Sequence, residues 1–229
     1  MLAMDEQQRI ERLAQLTVEV GANVQQGQLV VVACMVENAP MVRAIARAAY
    51  RAGARRVEPE YIDRHLTKAL VELGPEESLE YTPPWLMNMF DTLEAERGAY
   101  IQVSGDPDPD LLSGLPGDRV AKARPKEVFA KWIRMVNDLA VNWTIVPAPT
   151  PAWASQVFGE PDMDALWKAV EKSVPSRLTG PGGGMAAARR EAEAHRRRAN
   201  RDAIRLAALR RPWHRFHGRP SAELAVGRR

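Results

Sequence analysis

The feature that most restricts this chain is the run Leu29-Val-Val-Val-Ala-Cys-Met-Val36, β-branched and apolar with no alternation. Such a run suits a strand covered on both faces, the situation of a parallel sheet flanked by helices. Asn38 and Pro40 then open a helix that sets Val42, Ile45, Ala46, Ala49 and Tyr50 on one side, and Gly53 closes it. Arg56-Val-Glu-Pro-Glu-Tyr-Ile62 reads as a second strand, weakened at its centre by Pro59. Strand, helix and strand in this order make a βαβ unit, which requires parallel strands and a right-handed crossover.

The pattern extends on both sides of this unit. Residues 5–21 place Ile10, Leu13, Thr17 and Val20 at helical spacing, with Gly21 as a stop. Helical stretches follow over 66–73 and 76–95, the latter containing Pro83 and Pro84, and Ala99–Ser104 is a third strand. Asp106-Pro-Asp-Pro-Asp110 is a turn into a helix predicted over 118–138 despite Pro125. Asn142–Pro147 is a fourth strand; Pro149-Thr-Pro151 caps a helix through Val157, and another spans 162–173. The expected fold class is α/β: an open, mainly parallel sheet of about four strands with flanking helices, plus a C-terminal arginine-rich helix and a disordered tail.

Charge divides the chain in two. Residues 174–229 hold fourteen Arg and no Lys against four acids, whereas residues 1–173 hold 18 bases against 25 acids. The expected organisation is an N-terminal α/β domain over 1–175, a Gly/Pro linker over 176–185 built on Gly180-Pro-Gly-Gly-Gly184, an arginine-rich helix over 186–210 and a disordered tail over 211–229. The longest apolar run is too short to span a bilayer, and the first residues lack the basic and apolar regions of a signal peptide, so a cytoplasmic protein without membrane contact is expected. The lone Cys34 lies inside the apolar run, where it behaves as a small hydrophobe rather than a reactive thiol.

Candidate sites are few. Asp106, Asp108 and Asp110 follow a strand at the edge where parallel sheets bind ligands, and three acids could attract a cation; Asp alternating with Pro is also what builds a turn and caps a helix, and that reading is favoured. His65, His195, His214 and His217 are scattered and form no metal-binding spacing. The glycines at 180–184 follow no strand and lack the Lys-Ser or Lys-Thr ending of a phosphate loop, and Glu37-Asn-Ala-Pro40 after the first strand lacks dinucleotide-binding glycines. Arg189, Arg190, Arg196, Arg197, Arg198, Arg201 and Arg205 could neutralise phosphates, yet they surround their helix and interleave with Glu191, Glu193 and Asp202, which suits a solvated helix better than a nucleic-acid surface.

Six motifs, in this order, carry a resemblance: Leu13-Ala-Gln-Leu-Thr-Val-Glu-Val-Gly21, Val24-Gln-Gln-Gly-Gln-Leu-Val-Val-Val32, Ala49-Tyr-Arg-Ala-Gly-Ala54, Glu77-Ser-Leu79 with Trp85, Ile101-Gln-Val-Ser-Gly-Asp-Pro-Asp108, and Trp143-Thr-Ile-Val-Pro-Ala-Pro-Thr-Pro-Ala-Trp153. Over 5–173, and more loosely through Ile204-Arg-Leu-Ala-Ala-Leu-Arg210, the chain resembles the N-terminal half of the thermophilic metallo-aminopeptidases, the aminopeptidase T, S and II group.

The resemblance implies a cytoplasmic enzyme, commonly a homodimer, that removes N-terminal residues from peptides with two divalent cations, zinc or cobalt. The family's metal ligands lie in its second domain, so it implies no catalytic, cofactor-binding or metal-binding residue in this chain, which is expected to be inactive alone and to leave an apolar surface uncovered. The alternatives are a small-molecule-binding α/β domain and non-specific nucleic-acid binding through the arginine-rich end. Near Arg210 the family continues with a segment like Gly-Pro-Gly-Thr-Asp-Phe, where this chain reads Arg211-Pro-Trp-His-Arg-Phe216. With one choice of synonymous codons, CGG CCC TGG CAC CGA TTT, the same bases read one position later give Gly-Pro-Gly-Thr-Asp, so the expectation is that residues 211–229 are out of frame.

Overall fold

The computed structural model describes residues 4–173. Four strands form one sheet: β1 Leu29–Met35, β2 Arg56–Ile62, β3 Ala99–Ser104 and β4 Asn142–Pro147, in the order β2-β1-β3-β4. All three pairings are parallel, with Val30 level with Val57 and with Ala99, and Ala99 level with Asn142. Nine helices surround the sheet among the described residues: α1 Glu6–Leu16, α2 Ala39–Arg51, α3 Arg64–Leu73, α4 Glu76–Leu79, α5 Pro84–Ala95, α6 Gly117–Lys122, α7 Lys126–Asn137, α8 Pro151–Phe158 and α9 Met163–Ser173. The expected α/β class and four parallel strands are what is observed.

Strand β1 is central and buried on both faces, which accounts for its unalternating apolar sequence. Val30, Val32 and Cys34 face one core with Ile101, Val103, Val18 of the turn after α1, Ile45 and Ala49 of α2, and Trp167 of α9. Val31 and Ala33 face the other with Tyr100, Phe90 and Leu93 of α5, and Val128 and Met135 of α7. The sheet therefore sits between two helical layers, each burying an apolar stripe.

Four helix starts are fixed by side chains that satisfy free N–H groups, among them α9, where Asp162 accepts the Ala165 N–H at 2.8 Å. Asp5 and Gln8 form a reciprocal capping box on α1, with Gln8 N–H donating to Asp5 Oδ1 at 2.8 Å and Asp5 N–H donating to Gln8 Oε1 at 3.1 Å. Asp63 caps α3 through the His65 N–H at 2.9 Å, and Thr150 caps α8 through the Trp153 N–H at 3.2 Å.

Four sequence expectations change in detail. The helix predicted over 5–21 ends at Leu16 and continues as a single π turn, Thr17–Gly21. The stretch 76–95 splits into α4 and α5 at Pro83 and Pro84. The helix predicted over 118–138 is two helices, α6 and α7, because Pro125 has no N–H to donate and drives Arg124 out of helical geometry. Pro59 does not weaken β2, which lies at the edge of the sheet where a missing donor costs no ladder bond. The linker at 176–185, the arginine-rich helix at 186–210 and the tail at 211–229 lie outside the described residues. Among the described residues no helix is long and apolar enough to cross a membrane.

Candidate functional site

The strand order reverses direction between β1 and β3, and open α/β sheets bind their ligands in the crevice beyond the carboxyl ends at such a point. Here β1 leaves through the 3-10 turn Val36–Asn38 into α2 on one face, while β3 leaves through Gly105 toward α6 and the other. The crevice is stitched across. Asn38, 7% exposed, makes no capping bond to its own helix; its Nδ2 donates to the Gly105 carbonyl at 2.9 Å. The Ala148 N–H donates to the Ser104 carbonyl at 2.6 Å, and Gly105, at φ +151°, packs so closely on Ala148 that a Cβ would collide with its carbonyl oxygen. A protein side chain and backbone thus bridge the loops that leave β1, β3 and β4 at this point.

The three aspartates lie beside this stitch. Asp106 forms an ion pair with Arg64 of α3, both partly buried, and its Oδ1 accepts the Asp108 N–H at 3.0 Å. The Asp110 carbonyl accepts the Ser113 N–H at 2.8 Å. Asp106 is thus committed to a cation of the protein and to its own turn, as the turn reading expects. Among the described residues no group of three or more His, Cys, Asp and Glu side chains is placed to hold a metal ion. The described residues therefore do not fit a two-cation centre.

The remaining sequence candidates separate. His65 is exposed at the start of α3, and His195, His214 and His217 lie outside the described residues with Gly180 to Gly184 and the arginines of 186–210. Cys34 is buried and free; burial, with the carboxylates of Glu37 and Glu60, pushes its thiol up to about 11, which leaves it protonated and unreactive at neutral pH.

One half-buried and one buried charge escaped the sequence reading. Glu60 of β2 shares a face with Ala33 and Gln102 and accepts a hydrogen bond from the Tyr100 hydroxyl at 3.4 Å. Burial raises its carboxyl above the usual range, with the Tyr100 bond pulling the other way. Lys131 of α7, 5% exposed, pairs with Asp91 at 2.6 Å and with Glu94, both on α5. The edge position of Pro59 was the one signal that Glu58 and Glu60 flank a half-covered strand; nothing local marked Lys131 as buried. A stack of rings crosses the same side of the sheet, Phe90 to Tyr100 at 5.7 Å, Tyr100 to Trp132 at 4.4 Å and Trp132 edge-on to Trp143 at 5.9 Å.

Away from the sheet edge, a cleft of about 210 Å³ lies between α1 and α9, bordered by Leu13, Leu16, Arg12 and Val170. Its one deeply placed charge, Arg9, is neutralised by Asp164 at 2.8 Å and Glu171 at 3.5 Å.

Comparison with known proteins gives a consistent set of relatives. The family described as thermophilic metalloprotease (M29) matches residues 6–207. Aminopeptidase T of Thermus thermophilus is 34% identical over 225 residues, covering 95% of this chain and 53% of that protein. Aminopeptidase 2 of Geobacillus stearothermophilus is 33% identical over 170 residues, and aminopeptidase AmpS of Bacillus subtilis 35% over 173, each covering 72% of this chain and 41% and 42% of the relative. The solved structure of wild-type AmpT from Thermus thermophilus superposes with a TM-score of 0.66 at 34% identity, over 73% of this chain and 43% of that one. The chain spans about half the length of the relatives it matches.

Proposed function

The chain belongs to the thermophilic metalloprotease family (M29), and from that premise we propose that it forms the N-terminal half of a cytoplasmic, metal-dependent aminopeptidase that removes N-terminal residues from peptides. The observation that carries this reading is the 34% identity to aminopeptidase T across 95% of the chain, on a fold that superposes on AmpT. The contribution of this half is structural: it holds one wall of the enzyme, while the two divalent cations, zinc or cobalt, and the catalytic groups come from the half that follows in the relatives. The bond from Asn38 to Gly105 and the pairing of Asp106 with Arg64 support this division, because both engage the polar groups of the crevice in holding the fold together.

The out-of-frame reading of residues 211–229 belongs to the same proposal. The family match ends at residue 207, close to the departure at Arg210. Nucleotide sequence from the Ala207 codon onward tests it: the expected finding is an adjacent frame that continues the family's second half, and a gene with no such frame overturns this part.

The activity reading is tested on the chain itself. With zinc or cobalt present it is expected to hydrolyse no leucine p-nitroanilide, and metal-dependent hydrolysis by the isolated chain would contradict the assignment of the chemistry to the other half.

A further inference from the structure

The cleft between α1 and α9 carries two charged groups whose bonding is incomplete. Its walls are apolar at depth: Leu16 and Val170 are buried, and Leu13 packs on the core. At about 210 Å³ it lies below the range of drug-sized pockets, roughly 300–1,000 Å³, and suits a smaller molecule.

Among the described residues four arginines are partly buried, and three of them have a carboxylate. Arg9 pairs with Asp164 and Glu171, Arg64 with Asp106, and Arg119 with Glu76. The fourth, Arg12, borders the cleft, and its one side-chain hydrogen bond among the described residues runs from Nη1 to Met4 Sδ at 4.0 Å. A thioether is a weak acceptor, so this guanidinium keeps its charge and most of its donors for another partner. Glu171, across the cleft on α9, has the opposite charge and a similar vacancy in its bonding. Its Oε1 lies 3.5 Å from Arg9 Nε, and neither atom has a hydrogen-bond partner, while Arg9 makes its close bond to Asp164 at 2.8 Å. With 37% of the Glu171 side chain exposed, its carboxylate can be reached from the cleft.

We propose that this cleft binds a free α-amino acid with an apolar side chain. Arg12 takes its carboxylate, Glu171 its ammonium, and Leu13, Leu16 and Val170 its side chain. A planar guanidinium receives a carboxylate through two parallel bonds, the strongest form of such a contact. The two charges together select the ligand. A phosphate or a dicarboxylate meets the repulsion of Glu171, and a simple amine leaves Arg12 without an anion. An internal residue of a polypeptide has given up both its α-amino and its α-carboxyl group to peptide bonds, so a further stretch of chain laid over the cleft supplies neither from its backbone. The inference goes beyond the peptidase reading and does not rest on it; where both hold, the ligand is of the class that an aminopeptidase releases.

The test is the thermal unfolding midpoint of the full chain titrated with L-leucine. A saturable rise is expected, because a ligand held by the folded state alone stabilises it. Isocaproate, which is leucine without the ammonium, and isopentylamine, which is leucine without the carboxylate, are each expected to bind about tenfold or more weakly, the loss of one charge-assisted bond. Arg12→Gln and Glu171→Gln are expected to remove the response to leucine, while Arg43→Ala, exposed on α2, keeps it. Each variant is read as its own change on adding leucine, and if Glu171→Gln does not fold, Arg12→Gln carries the test. No rise with leucine overturns the proposal, as does a rise that survives Arg12→Gln. Isocaproate acting as strongly as leucine overturns the role of Glu171, and isopentylamine doing so overturns that of Arg12.

Discussion

The Nδ2 of Asn38, at the end of the turn after β1, donates to the carbonyl of Gly105, the first residue after β3, at 2.9 Å. This bond ties together the two loops that diverge at the reversal point of the sheet, the place where related architectures admit a ligand. Asn38→Ala removes the donor and leaves a half-buried carbonyl to water, which costs about 1 kcal/mol. Urea unfolding of the variant checks this, with unchanged stability as the contrary result.

Gly105→Ala acts on the same junction from the other side. At φ +151° a side chain is strained, and its Cβ meets the Ala148 oxygen, so the backbone must shift. A loss of about 1–3 kcal/mol is expected, in the range of other strained backbone positions. A variant as stable as the parent would show that the loop has room to move.

Lys131 stands between Asp91 and Glu94 with 5% of its side chain exposed, while its partners are 59% and 33% exposed. Lys131→Ala leaves two neighbouring carboxylates on α5 without their cation and a cavity under α7. Because the carboxylates keep partial contact with water, the expected loss is about 2 kcal/mol, below the range for fully buried pairs. Lys131→Met, which retains the apolar stem, is expected to recover part of it. Equal losses for the two variants would assign the whole effect to charge.

Glu60 makes stability depend on pH in a definite direction. Burial raises its carboxyl in the folded state, so the native chain holds the proton more tightly than the unfolded one. Its stabilising contribution is complete below the unfolded value, about 4.3, and is lost as pH rises through the raised folded value. Glu60→Gln, which still accepts from Tyr100, is therefore expected to be more stable than the parent at neutral pH, with the gap closing in mild acid. Unfolding curves at the two pH values measure this, and a gap of one size at both would contradict it.

How far the sequence revealed the fold follows from period and punctuation. The run from Leu29 to Val36 showed a strand covered on both faces because no residue in it tolerates water, and β1 is buried between Val31 on one side and Val32 on the other. Pro125 was legible as a residue but not as a break, since the apolar spacing on either side of it continues as if the helix were one. The order of the strands was not legible, because it depends on which edge each crossover reaches. The Asn38 to Gly105 stitch joins residues 67 positions apart, and neither is unusual in its own neighbourhood. The aspartate loop could be seen in the sequence, but Arg64, which occupies Asp106, comes from α3, with α4, α5 and β3 in between.

A scaffolding half must be able to serve an aminopeptidase when joined to a catalytic half. The direct measurement is kcat/KM for leucine p-nitroanilide, with and without a chelator, of a chimera in which residues 6–207 replace the matching part of Thermus thermophilus aminopeptidase T. The expected result is hydrolysis that the chelator abolishes and added zinc or cobalt restores. A chimera that folds, binds its metal ions and hydrolyses nothing would contradict the claim that this chain is the scaffolding half of such an enzyme.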